Sequence, residues 1–168
     1  MHASANMIDI VNAQRKIKLN LAPIREFVAE LSRSVNEAEN KTLSVAFISD
    51  DRMRQLNKIF RGKDGTTDVL SFPWSEPPAV AGGLSQQIDN IQPPATADGS
   101  DWPANFLGDI VISAQQAQKQ AAENGLSLEG EIKQLILHGV LHLCGYDHET
   151  DDGEMNAREL ELRDKLGI

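Results

Sequence analysis

With Cys144 as its only thiol, the chain forms no internal disulfide. The same scarcity excludes the four-thiolate zinc ribbon and the two-Cys, two-His finger, so any metal here is left to imidazole and carboxylate ligands. Long apolar runs are also missing, and Met1–Arg15 contains no basic stretch followed by an apolar one of the kind that opens a secretory signal. The resulting expectation is a cytoplasmic protein with no membrane contact. Internal repeats are absent too. With 40% hydrophobic and 24% charged residues the composition is that of an ordinary globular chain, and 168 residues suffice for one domain burying about 70% of its extended surface.

Positive charge is scarce in the second part of the chain. Residues 1–63 hold eleven Lys/Arg and seven Asp/Glu, whereas residues 64–168 hold five and eighteen. A total of −9 therefore conceals a basic N-terminal region on an acidic body. Charge alone does not separate an RNA-facing surface from a merely solvated one.

Apolar periodicity predicts strands at Met7–Val11, Leu43–Ile48, Asp68–Phe72 and Leu107–Ser113. The last contains Ile110, Val111 and Ile112 in a row, a pattern that implies burial on both faces. Helices are predicted at Leu21–Asn36 after an Asn20 cap, and from Ser49 or Asp50 to Phe60 with Gly62 beyond. Three more follow: Ala114–Asn124 closed by Gly125, Ser127 to about Leu143, and a last one opened by Asp151 and Glu154 and ending near Leu166. Residues 73–103 carry six of the seven prolines and neither Lys nor Arg, so 74–105 is expected to be a flexible Pro-rich insertion. The order βαβαββααα predicts a single α+β domain over residues 1–168, a small mixed four-stranded sheet packed with about five helices.

Three of the four histidines fall within HGVLHLCGYDH, residues 138–148. His138 and His142, four apart on a helix, share one face. A turn at Gly145 brings His148 toward the same point, giving three imidazoles and an open fourth position, the pattern of a catalytic zinc. Cys144 lies on another helix face. Ligand type alone also admits nickel, iron or manganese, but an all-imidazole site of low coordination favours zinc, one ion per chain. The spacing is similar to that of the metzincin proteases, in which a Glu follows the first His; Gly139 stands there in this chain and supplies no general base.

Together with TTDVLSFP at 66–73 and GDIVIS at 108–113, this stretch resembles the YbeY family of bacterial metal-dependent endoribonucleases. The resemblance runs from about Ile8 to Leu166, with 74–105 longer and richer in proline than the family usually shows. It implies a zincin-like metal helix and zinc held by His138, His142 and His148, with cleavage of single-stranded RNA. It also implies maturation of the small-subunit ribosomal RNA 3′ end and ribosome quality control, with the small subunit and its proteins as partners. Arg61 matches a family arginine and, with His138, is the catalytic candidate: a guanidinium can hold two oxygens of a phosphate whose charge grows during cleavage. Asp147 suits orienting an imidazole, with proton acceptor as the alternative role, and Arg52, Arg54, Lys58 and Lys63 are candidates to track the RNA backbone, a solvated face being the reading their charge favours. Asp68 and Asp109 suit turn or capping roles, while Tyr146 and Phe72 suit core packing or base stacking. Two other readings fit the same residues: a non-catalytic zinc-containing assembly or RNA-binding factor and, more distantly, a metalloprotease-like hydrolase.

Overall fold

The computed structural model describes residues 8–74 and 105–168. Its strands are β1 (Asp9–Asn12), β2 (Thr42–Ile48), β3 (Val69–Pro73) and β4 (Phe106–Ser113), and its helices are α1 (Leu21–Ser34), α2 (Asp50–Arg61), α3 (Ala114–Asn124), α4 (Leu128–Leu143) and α5 (Glu154–Leu166). The α+β class and element order are those expected. Met7 and the body of the proposed insertion lie outside the described residues. The two ends of that insertion are tied down, by Trp74 N–H to Leu107 O and by Asn105 Nδ2 to Asn40 O.

The sheet has the order β1-β2-β4-β3. β1, β2 and β4 run parallel, and β3 pairs antiparallel with β4 at the edge. Alternation along β4 sends Ile110 and Ile112 into the main core, shared with α1 and α4, and Val111 into a smaller cluster beneath α2 with Ile48, Met53, Leu56 and Leu70. The apolar run is therefore buried on both faces, as its sequence implied.

Capping explains most helix boundaries. The side chains of Asn20, Ser49, Ser113 and Ser127 each accept a backbone N–H of the first turn, and Gly62 and Gly125 end α2 and α3 in the left-handed conformation. Two helix boundaries differ from expectation by more than one residue. α1 stops at Ser34 because Val35 turns extended (φ −100°) and is fully buried, with a single 3-10 turn at Asn36–Ala38 following. Asp151 does receive the N–H of Met155, but the residue preceding α5 is Gly153, at φ 105°.

The helix nearest the sheet's centre is α4, buried along most of its length at Ile132, Leu135, Ile136, Leu137, Val140 and Leu141. Its approach to β4 is close enough to dictate a residue. A Cβ at Gly139 would lie 2.9 Å from Ile110 Cγ2 and 3.1 Å from Cγ1 and Cδ1. Another side of α4 carries His138 and His142, both partly buried. Among the described residues no helix is long and apolar enough to cross a membrane.

Candidate metal centre

α4 presents His138 and His142 one turn apart, and the chain then reverses. Gly145 adopts φ 95°, its N–H bonding His142 O while Tyr146 N–H bonds Leu141 O. The reversal delivers His148 to the other two. Ligand atoms of the three rings lie within 4.8 Å of one another, and Nε2 of His142 is 3.2 Å from Nε2 of His138. Two nitrogens each about 2.1 Å from a tetrahedral ion would stand about 3.4 Å apart, so this pair is already at bidentate spacing. Burial, then the neighbouring His138 and His148, depress the pKa of His142 and favour the neutral imidazole that a metal requires.

The donor set fits a divalent ion of zinc type. Three convergent nitrogens come with no thiolate: the Cys144 thiol is pushed up to about 11 by burial and packs against the core. The histidines lie in a cleft of about 640 Å³ together with Arg61, Asp68, Tyr146 and Glu149, with the edge strand β3 as one wall. Ser71 Oγ donates to Gly139 O at 3.3 Å and so links that wall to the metal helix.

Arg61 comes from the last turn of α2 to the same cleft. Its Nη2 lies 3.8 Å from Glu149 Oε1 in a well-exposed pair, too weak to keep the guanidinium from a phosphate. Phe60 and Phe72 form a T-shaped pair at the rim, centroids 4.9 Å apart. Arg52, Arg54, Lys58 and Lys63 do not line the cleft, and Arg54 is bonded to Asp64 at 2.9 Å. Asp68 accepts from Val69 N–H and Thr67 Oγ1, whereas Asp109 accepts from Ser44 on the neighbouring strand, outside the cleft. Tyr146 both packs on the core and donates to Glu37 Oε1 at 2.8 Å.

The carboxylate that touches an imidazole is Glu159 of α5, not Asp147. Asp147 Oδ1 instead accepts Glu149 N–H at 3.0 Å and braces the turn, while Glu159 Oε2 stands 3.1 Å from His138 Nδ1. Burial pushes the Glu159 carboxyl up, but bonds from His138 and from Arg163 (2.5 Å to Oε1) outweigh it and hold it below the usual range. Binding Nδ1 this way leaves Nε2 as the nitrogen of His138 that could face a metal. Glu159 escapes the sequence reading; the signal that could have found it is a carboxylate at helical spacing with Met155 and Leu162, a stripe the structure buries.

A family model described as endoribonuclease YbeY matches residues 9–167. The chain belongs to that family. Endoribonuclease YbeY of Geobacillus thermodenitrificans is 36% identical over 164 residues, covering 96% of both chains, and that of Nautilia profundicola is 38% identical over 141 residues, covering 84% of each. The solution structure of TM1509 from Thermotoga maritima shares the fold at a TM-score of 0.56 and 26% identity, covering 95% of this chain and 89% of the other. Membership of the YbeY family makes the histidine cleft, with β3 as its wall, the place to look for the chemistry of RNA phosphodiester hydrolysis.

Proposed function

We propose that this chain is a zinc-dependent endoribonuclease specific for single-stranded RNA, acting on ribosomal RNA at the small-subunit 3′ end and in ribosome quality control. The observation that carries the reading is the convergence of three imidazoles and the Arg61 guanidinium on one cleft. His138, His142 and His148 would hold the ion, which supplies Lewis-acid polarisation of the phosphodiester when bound. Arg61 exchanges its loose pairing with Glu149 for two phosphate oxygens and stabilises the charge that grows on them. Glu159 fixes the tautomer of His138. Position 139 offers no proton acceptor, so the nucleophile, whether the 2′-hydroxyl of the RNA or a water, would pass its proton to a phosphate oxygen or to a carboxylate of the cleft such as Glu149.

The test is cleavage of a single-stranded ribosomal RNA fragment by wild type and Arg61→Ala, prepared in parallel with matched zinc content. Cleavage by wild type falling at least about 100-fold in the variant is expected, the scale for losing one charge-stabilising donor. Equal cleavage would clear Arg61 of a role. RNA binding with zinc present and no cleavage by either protein would favour the non-catalytic assembly factor.

Glu159→Gln is expected to weaken zinc retention about 10–100-fold, the range for losing a ligand's hydrogen-bonded carboxylate. Competition against a chelating indicator measures it, with circular dichroism confirming the fold. Unchanged affinity would remove Glu159 from the site.

A further inference from the structure

A second cleft, of about 490 Å³, lies on the far side of His138. It meets the metal cleft at Asp68, Val69 and His138, which line both. The two are aligned along α4, where Glu131, Leu135, His138 and His142 recur at helical spacing on one stripe. At 1.5 Å per residue, Glu131 sits about 10 Å along the axis from His138.

The second cleft is lined by side chains that are bonded but keep spare hydrogen-bonding capacity. Glu131 is only 4% exposed, its Oε2 accepting from Asn124 Nδ2 at 3.2 Å, while its Oε1 has no hydrogen bond among the described residues. Nε of Arg163 is buried and also without a partner there. Gln134 adds an amide that can donate and accept, and Leu126 and Leu135 supply apolar walls. A phosphate is a poor occupant. Glu131 and Glu159 both carry negative charge into the cleft, and its one arginine is already bonded to Glu159. An uncharged flat ligand with both N–H donors and acceptors fits better: the donor meets Glu131 Oε1, an acceptor meets Arg163 or Gln134, and the faces meet leucine.

We propose that the second cleft receives an unstacked nucleobase flanking the scissile phosphate, and that Glu131 Oε1 accepts from its exocyclic amino group. Single-stranded RNA can splay a base out in this way. A carboxylate accepts readily from the N4 amino group of cytosine but repels the O4 carbonyl that uracil carries at that position. The cleft is thus a specificity subsite, an inference that rests on the RNA-cleaving reading of the metal centre.

Labelled decamers of oligocytidine and oligouridine differ at the decisive position and test this directly. Binding is followed by fluorescence anisotropy and cleavage by gel, with zinc-loaded wild type, Glu131→Gln and Leu126→Ala. Wild type is expected to bind oligocytidine about tenfold more tightly than oligouridine, the usual discrimination of a well-placed polar pair. Glu131→Gln, which keeps the bond to Asn124, should bring the two within about twofold, and Leu126→Ala should weaken both alike. Equal binding of the two decamers by wild type, or a preference that survives Glu131→Gln, overturns the subsite even if both RNAs are cleaved. Base preference lost in Glu131→Gln, with no cleavage by any protein, would keep the subsite and overturn the nuclease reading instead. Failure to bind either decamer overturns both.

Discussion

Alanine at position 142 is expected to strip the protein of zinc and of RNA cleavage together. His142 is the ring closest to His138, and its removal leaves two imidazoles that no longer close around one ion. Metal polarisation of a phosphoryl oxygen is worth several kcal/mol, so cleavage should fall on the order of 10³-fold or more. Elemental analysis after dialysis against a mild chelator reads the metal, and a full equivalent of zinc retained by His142→Ala would disprove the proposed ligand set. The fold should survive. The metal-free proteins should even diverge in the opposite sense: because burial and two neighbouring imidazoles lower the pKa of His142, the unfolded chain binds its proton more readily than the folded one. Metal-free wild type therefore loses stability as the pH falls through the ordinary histidine value near 6.5, and His142→Ala loses less. Parallel melts at neutral and acid pH compare the two.

Glutamate at position 139, which would restore the metzincin pattern, is expected to damage the fold without creating a protease. Gly139 faces β4 rather than the cleft, and even a methyl group there would press on three atoms of Ile110. Forcing extra atoms into a filled contact costs about 1–3 kcal/mol, and an unpaired buried carboxylate adds more. A midpoint lower by roughly 10 °C or more is expected from calorimetry, at about 2–4 °C per kcal/mol for a chain of this size. If Gly139→Glu melts like wild type, the helix–strand contact is not what dictates glycine. Coupling offers a second check: Gly139→Ala combined with Ile110→Ala should destabilise less than the two changes added, because the smaller residue on β4 accommodates the new methyl group.

That contact also gives the missing glutamate a physical reason. From the sequence, Gly139 is only the absence of a general base. In the fold it is where the metal helix lies against the sheet, so the residue following the first histidine of this chain cannot serve both packing and proton transfer.

Local chemistry made much of the molecule legible in advance. Asn20, Ser49 and Ser127 begin helices because their side chains accept first-turn N–H groups, and Gly62 and Gly125 end them because left-handed backbone suits glycine. His138 and His142 could be paired on paper because a helix repeats every 3.6 residues. Asp147 was the natural choice to orient a ring only because it is adjacent in sequence to His148. In the structure its carboxylate is taken by the next turn's backbone, and the role falls to Glu159, eleven residues beyond that histidine.

Elements, most of their boundaries and the histidine spacing were thus determined by the sequence itself, because propensity, capping and helical period act over a few residues. The tertiary structure decided what long-range packing decides. It put β3 at the sheet's edge as a wall of the cleft, set Arg61 opposite His148's neighbour Glu149, bonded α5 to His138, and left the lysines and arginines of α2 other than Arg61 outside. It also placed Glu131 and Arg163, from different helices, around one second cleft. Each of these meetings depends on how helices settle on the sheet, which is governed by the fit of side chains far apart in the chain rather than by any short stretch of it.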